Sequence, residues 1–254
     1  MSKTNIINRN TYLNTIRSAT CTGSFYLWAI LIGILMIPMS IFLPRSLFRI
    51  IVVIWSVGNM YLLRIIAGIK VDIQGLQNIP QGPVIIAAKH QSEWETIILL
   101  HVLHDPVYVL KKELAFIPGF GQYAYKMGMI FIDRKGHAQS LRHLLVNAKH
   151  ALNTNRPLVI FPEGTRVPTG SRVRYRTGIA GLYSELGAPV IPTIHNSGLY
   201  WPAKSFRRYP GTIKLQFLPP IEPGLSRHEF MMELEHSMED GTDRLVSENK
   251  PNKK

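Results

Sequence analysis

The stretch Pro83-Val-Ile-Ile-Ala-Ala-Lys-His90-Gln-Ser-Glu-Trp-Glu-Thr96 decides how this chain is read. Its opening run, Pro83 to Ala88, is apolar and short, the pattern of a strand buried on both faces. A lysine, a histidine and two carboxylates follow directly. From Trp94 to Leu103 apolar residues return at helical density, so the polar cluster occupies the turn between a strand and a helix. A histidine buried only for packing has no need of such company.

The same alternation continues outward. Val107–Leu110, Met129–Ile132, Leu158–Phe161, Val190–Ile194 and Thr212–Phe217 read as strands. Gly119–Met127 reads as a short helix. Ser140–Leu152 carries an apolar stripe at Leu141, Leu144, Leu145, Ala148 and Leu152, and Gly178–Leu186 is a helix stopped by Gly187. Ser226 with Glu229 is a capping box that starts a C-terminal helix. The tail from Glu248 to Lys254 is polar and expected to fray. Strands alternating with helices predict an α/β fold with a mostly parallel central sheet flanked by helices.

Before this region the texture differs. The 254-residue chain has a formal net charge of +13, and Met1 to Lys70 holds seven basic residues and no acidic one. Within it, Ser18–Pro44 runs for 27 residues without a charge, long enough to cross a bilayer core, with Pro38 expected to kink or end the helix. Ile50–Leu63 is a second uncharged run of 14 residues, short for a span and suited to an interfacial or re-entrant helix. No small-x-small cleavage site follows the first run, which argues against a removed leader. Residues 1–70 therefore read as a basic segment with a two-helix membrane anchor, against the alternative of a buried helical pair. Residues 71–254 read as the catalytic domain. The basic excess beside the apolar runs suits an anionic membrane surface. Cys21 is the single cysteine, so neither an internal disulfide nor a cysteine-based metal cluster can form.

Three predicted strands end in charged clusters: Lys89-His90, Asp133-Arg134 and Glu163-Gly-Thr-Arg166. Parallel strands bring such ends to one edge, where ligands bind in open α/β sheets. On one continuous helix His90 and Glu95 would point about 140° apart. With His90 in the turn and Glu95 in the first helical turn they can meet, as a general base with an orienting carboxylate. Glu93 competes for that second place. Ser92 lies in no nucleophile elbow, so the hydroxyl to be deprotonated belongs to the substrate. Gly164 and Thr165 can cradle phosphate, Arg134 and Arg166 can grip it bidentately, and Lys111 adds a further cation.

These blocks resemble the 1-acyl-sn-glycerol-3-phosphate acyltransferases among the glycerolipid acyltransferases, over roughly residues 65–220. His90 and Glu95 stand at the His-x4-Asp block. Gly128-Met-Ile-Phe-Ile-Asp-Arg134 is similar to the second block, Phe161-Pro-Glu-Gly-Thr-Arg166 matches the third intact, and Val190-Ile-Pro192 resembles the fourth. Lys111-Lys-Glu-Leu114 resembles a further Lys-x-Glu-Leu block. Glu95 departs from the family's aspartate, and Lys89 from its asparagine.

The resemblance implies a glycerol-3-phosphate acyltransferase-like fold and no cofactor or metal. It implies acyl transfer from an acyl carrier protein or coenzyme A thioester to the 2-hydroxyl of lysophosphatidic acid, giving phosphatidic acid. His90 would be the base and Glu95 its orienter. Lys111, Arg134, Gly164, Thr165 and Arg166 would receive the acceptor phosphate. Glu163 would shape the loop or meet polar groups of acceptor or thioester. The resemblance also implies residence on one membrane leaflet, at the cytoplasmic face of a bacterial inner membrane.

Other readings compete. His101, His104 and Asp105 lie at metal-ligand spacing, but on an apolar helical run with no further ligand nearby. Arg172-Val-Arg-Tyr-Arg176 and Arg207-Arg208 read as solvated or lipid-facing loops, and no nucleic-acid module accompanies them. A non-catalytic anion-binding membrane protein, or an acyltransferase for another lysolipid, are the alternatives.

Overall fold

A computed structural model describes residues 11–134 and 136–248 of the chain. Its strands are β1 (Ile69–Gln74), β2 (Ile85–Ala88), β3 (Val107–Lys111), β4 (Ile130–Ile132), β5 (Leu158–Ile160), β6 (Val190–His195) and β7 (Gly211–Phe217). They form one sheet in the order β1-β7-β6-β2-β5-β3-β4. Neighbours run parallel except β6 and β7, so β1 and β7 point opposite to the other five.

Successive residues of a strand face opposite sides of the sheet, and β2 divides accordingly. Ile85 and Ala87 pack into a layer with Leu144 and Ala148 of α5 (His137–Asn153), Ile179 and Leu182 of α6 (Gly178–Leu186), and Phe230 and Leu234 of α8 (Arg227–Glu248). Ile86 and Ala88 face Trp94, Ile97 and Ile98 of α3 (Trp94–Val102), with Leu63 and Ala67 beyond. Both faces are therefore covered, as near-continuous apolar strands require. The same parity continues past the strand end. It sends Lys89 toward α8 and His90 toward α3.

α8 begins at its predicted cap. Ser226 N donates to Glu229 Oε2 at 2.9 Å, and Glu229 N donates to Ser226 Oγ at 3.2 Å. α6 ends at Gly187, which takes the left-handed conformation (φ 59°) that costs glycine nothing. β1 escaped the sequence reading, although Ile69, Val71 and Ile73 alternate with Lys70, Asp72 and Gln74. The abrupt end of the apolar region hid a six-residue edge strand behind it.

α1 (Thr11–Phe42) and α2 (Arg45–Leu62) form the N-terminal hairpin. Pro38 does not end α1. It removes one donor from the ladder, and the helix continues to Phe42 before Pro44 turns the chain into α2. The second run is also longer than its uncharged core: α2 and the π-turn Leu63–Ala67 give 23 helical residues, because Arg45, Arg49 and Arg64 fit on the helix with long side chains that can reach polar surroundings. Trp28 Nε1 donates to Trp55 O at 3.1 Å across the pair. A Cβ at Gly58 would sit 2.7 Å from the Trp28 ring, so this crossing needs glycine.

The buried-pair alternative fails on exposure. Leu27, Leu31, Leu35, Ile41 and Phe42 of α1 all face outward. Burying such side chains is worth about 1.5–3 kcal/mol each, so an apolar surface of this extent marks a membrane-associating element. The other side of the hairpin is fastened to the sheet domain along its length. Arg208 N donates to Ser18 Oγ at 2.9 Å, Tyr123 Oη donates to Gly33 O at 2.5 Å, and Arg45 pairs with Asp105 at 2.6 Å.

Candidate active site

The parallel strands β2, β5, β3 and β4 end side by side, and their exits supply the predicted residues in that order. His90 leaves β2, the 161–166 block leaves β5, Lys111 closes β3, and Asp133-Arg134 follows β4. The edge is thus assembled by topology alone.

His90 Nδ1 lies 2.8 Å from Glu95 Oε1. Glu95 is in the first turn of α3, as the meeting of the two groups requires. The same carboxylate accepts Gln91 N and Ser92 N at 2.8 Å, Ser92 Oγ at 2.9 Å and Ser197 Oγ at 3.1 Å. Burial alone would raise its pKa. The His195 ring, the bond and charge of His90, and the Ser92 N–H outweigh that and hold it at about 2. An ionised Glu95 takes the Nδ1 proton side of His90, leaving Nε2 as the acceptor nitrogen. The imidazole stacks on Phe161 with centroids 4.3 Å apart.

Glu93, the rival for the orienting role, turns outward and pairs with Arg166. Ser92 is a buried bonding partner of Glu95 and caps α3, its Oγ accepting Trp94 N at 2.9 Å. Its hydroxyl therefore has work other than nucleophilic attack.

The third block clamps the backbone of His90 from both sides. His90 N donates to Glu163 Oε2 at 2.6 Å, and His90 O accepts Val167 N at 2.7 Å. Gly164, at φ 67°, closes the turn by donating its N–H to Phe161 O at 2.9 Å. Glu163 is only 1% exposed and lies 2.5 Å from Lys89 Nζ. Burial raises its pKa against the pull of Lys89.

A cavity of about 1470 Å³ opens beside His90. Lys111, Arg134, Gly164 and Arg166 line it, together with apolar residues of α1, α2 and α4 (Phe120–Lys126) such as Ile30, Val52 and Phe120. Glu163 and Thr165 are not among its lining residues. Arg134 donates to Gly164 O, and Lys111 lies 3.3 Å from Glu113. The cavity therefore joins a cationic region to an apolar one, with one imidazole between protein and space.

Sequence reasoning missed three participants. Arg176, expected in a solvated or lipid-facing loop, is exposed but also packs against Gly164 and lines the cavity, and its charge lowers the Arg134 pKa, second to burial. His195 is fully buried, donates Nε2–H to Lys89 O at 2.9 Å and lies 3.8 Å from Glu95 Oε2. Ser197 follows it. The strand Val190–His195 ends beside β2, which signals His195 only once strand order is known. Of the metal-spaced residues, Asp105 pairs with Arg45 and Arg156, and His101 Nδ1 bonds Ser56 Oγ at 2.9 Å.

Comparison with known proteins gives these residues a family. A model described as Acyltransferase matches residues 70–196. The 1-acyl-sn-glycerol-3-phosphate acyltransferase of Pseudomonas aeruginosa is 36% identical over 201 residues, covering 79% of this chain and 77% of that one. The alpha form from Mus musculus is 29% identical, covering 76% and 68%. The crystal structure of the 1-acyl-sn-glycerophosphate (LPA) acyltransferase from Thermotoga maritima shares the fold, with a TM-score of 0.76 at 23% identity, covering 92% of this chain and 98% of that chain. With the first three of its blocks on one sheet edge and these relatives across most of its length, the chain belongs to the 1-acyl-sn-glycerol-3-phosphate acyltransferase family.

Proposed function

We propose that this enzyme transfers a fatty acyl group from a thioester to the 2-hydroxyl of lysophosphatidic acid, with His90 as base. The observation that carries the reading is the unengaged side of the His90 ring at a cavity that is cationic in one part and apolar in another.

His90 Nε2 takes the hydroxyl proton as that oxygen attacks the thioester carbonyl. Glu95 holds the ring and stabilises the imidazolium that forms. The C–S bond breaks, and the leaving sulfur takes the proton from Nε2. Lys111, Arg134, Arg166 and Arg176 surround the acceptor phosphate with charge, and Gly164 leaves its backbone open to it. Glu163 shapes the loop through His90 N, and Thr165 stands at its exposed side.

The hairpin brings this chemistry to the lipid. Because α1 is fastened to the domain at both Ser18 and Gly33, about 22 Å apart along a helix, it lies along the domain rather than projecting from it. That arrangement suits one leaflet, the cytoplasmic one if the chain works at a bacterial inner membrane. The donor is an acyl carrier protein or coenzyme A thioester.

The test uses purified protein and His90→Ala in vesicles, each donor in turn, and labelled acyl groups. Transfer to lysophosphatidate that disappears in the variant supports the reading. Transfer only to a lysolipid without a phosphate monoester would keep the base and overturn the phosphate assignment. Folded protein inactive with every donor and acceptor would sink the reading.

A further inference from the structure

Lys89 is 2% exposed, an ammonium at the end of a buried strand. Strand parity directs it away from the cavity and into the layer formed with α8. There its Nζ meets two carboxylates, Glu163 Oε1 at 2.5 Å and Glu239 Oε1 at 2.7 Å. Glu239 belongs to α8, 4% exposed, and lies outside the 70–196 region shared with the family model. Its Oε1 also accepts Tyr175 Oη at 2.7 Å, in the segment that leads to Arg176.

A buried ammonium must be compensated where it stands. One carboxylate would neutralise Lys89, yet two converge on it. Glu163 has a second duty, because its other oxygen accepts the His90 N–H at 2.6 Å. Two carboxylates that share one buried ammonium press on each other, although the exposed Arg172 also faces Glu239, with Nε 3.8 Å from Oε2. Burial is the first cause of the raised Glu163 pKa, Lys89 opposes it, and Glu239 adds to it. The position of Lys89 therefore depends on both partners. A chain of contacts runs from α8 through Lys89 and Glu163 to the backbone of the histidine.

We infer that Glu239 is a positioning residue for the acyl-transfer reaction: by anchoring Lys89 from the C-terminal helix it keeps Glu163 on the His90 amide and so fixes where the imidazole stands. Glu239 does not touch substrate. Burial of a lysine at the exit of β2 creates the requirement, and the helix satisfies it. This inference rests on the proposed acyl-transfer reading.

Glu239→Gln keeps the shape and an acceptor oxygen while removing the charge. In detergent-solubilised full-length protein, with lysophosphatidate and acyl-coenzyme A or acyl carrier protein, kcat per folded molecule should fall by about tenfold or more and KM change less than about twofold. Amide hydrogen exchange should quicken at His90 and its neighbours and remain as in wild type across β3, β6 and α5. The double variant Lys89→Met/Glu239→Gln removes the ammonium together with its helix partner, and should exceed Lys89→Met alone in kcat, since the Glu239 charge then no longer presses on Glu163. Wild-type kcat in Glu239→Gln, exchange that rises evenly across the sheet, or a double variant no better than Lys89→Met would each overturn the inference. A wild-type protein inactive with both donors would instead fault the reaction assigned to the site, and the exchange at His90 would still decide the positioning role.

Discussion

His90 Nδ1 and Glu95 Oε1 stand 2.8 Å apart although they are five positions apart in the chain, because the chain turns into α3 between the two. The glutamate reaches the imidazole while accepting two backbone N–H groups. Glu95→Gln replaces the acceptor of the Nδ1 proton with an amide that can present its NH2 instead. Loss of a positioned base is worth roughly 10²–10⁴-fold in rate. We expect kcat to fall in that range in Glu95→Gln, with the far-ultraviolet circular dichroism of wild type. A rate within threefold of wild type would remove Glu95 from the mechanism.

The pH dependence of stability draws on two buried groups shifted in the same direction. His195 is held below its ordinary value of 6.5, first by burial, and Glu95 is held at about 2 rather than 4.5. In each case the folded state binds fewer protons than the unfolded state. Their contributions are present above the ordinary values and are lost as pH falls through the folded ones. Urea midpoints should therefore begin to fall below about pH 6.5 and fall further below about pH 4.5. His195→Gln should flatten the first part of that decline and leave the second.

Arg166 is committed to Glu93 in the unliganded protein, but the pair is about half exposed. Exposed ion pairs are worth about 0–1 kcal/mol, whereas bonds to a charged group are worth about 1.5–3 kcal/mol, so an acceptor phosphate bound as proposed would displace Glu93. Arg166→Ala should raise KM for lysophosphatidate by about 10–150-fold on that scale. Glu93→Gln should lower it, by no more than about fivefold. Steady-state kinetics on vesicles measures both, and an unchanged KM in Arg166→Ala would move the phosphate elsewhere.

Leu27 and Leu31 are exposed on α1 and are not among the residues lining the cavity. A charge placed in a bilayer centre costs about 2.5–3.5 kcal/mol on insertion scales. Leu27→Asp/Leu31→Asp should shift the protein from vesicle pellet to supernatant on sedimentation, with the fold intact in detergent. Retention on vesicles would show that this face does not meet lipid.

Ser226→Ala removes one half of the capping box of α8. The expected loss is about 1 kcal/mol of stability, with kcat unchanged, because the cap lies 13 positions, about 20 Å of helix, before the residue that reaches Lys89. A denaturant midpoint and a rate on the same preparation test it.

The sequence by itself determined most of the elements, the parallel sheet edge and the short blocks that end on it. Those features are local or periodic: apolar runs of strand length, helical stripes, a Ser–Glu cap, charged exits. Chemistry concentrated within single short blocks, such as His90 with Glu95 or Phe161 to Arg166, is legible for the same reason. Only the tertiary structure decided that Glu95 and not Glu93 meets His90, since both lie within reach along the chain and backbone direction chooses between them. It alone brought Arg176, His195 and Glu239 to the site. These residues lie 86, 105 and 149 positions after His90. No spacing or period marks them, because what draws each inward is a cavity wall, a carbonyl or a buried ammonium supplied by a distant part of the chain.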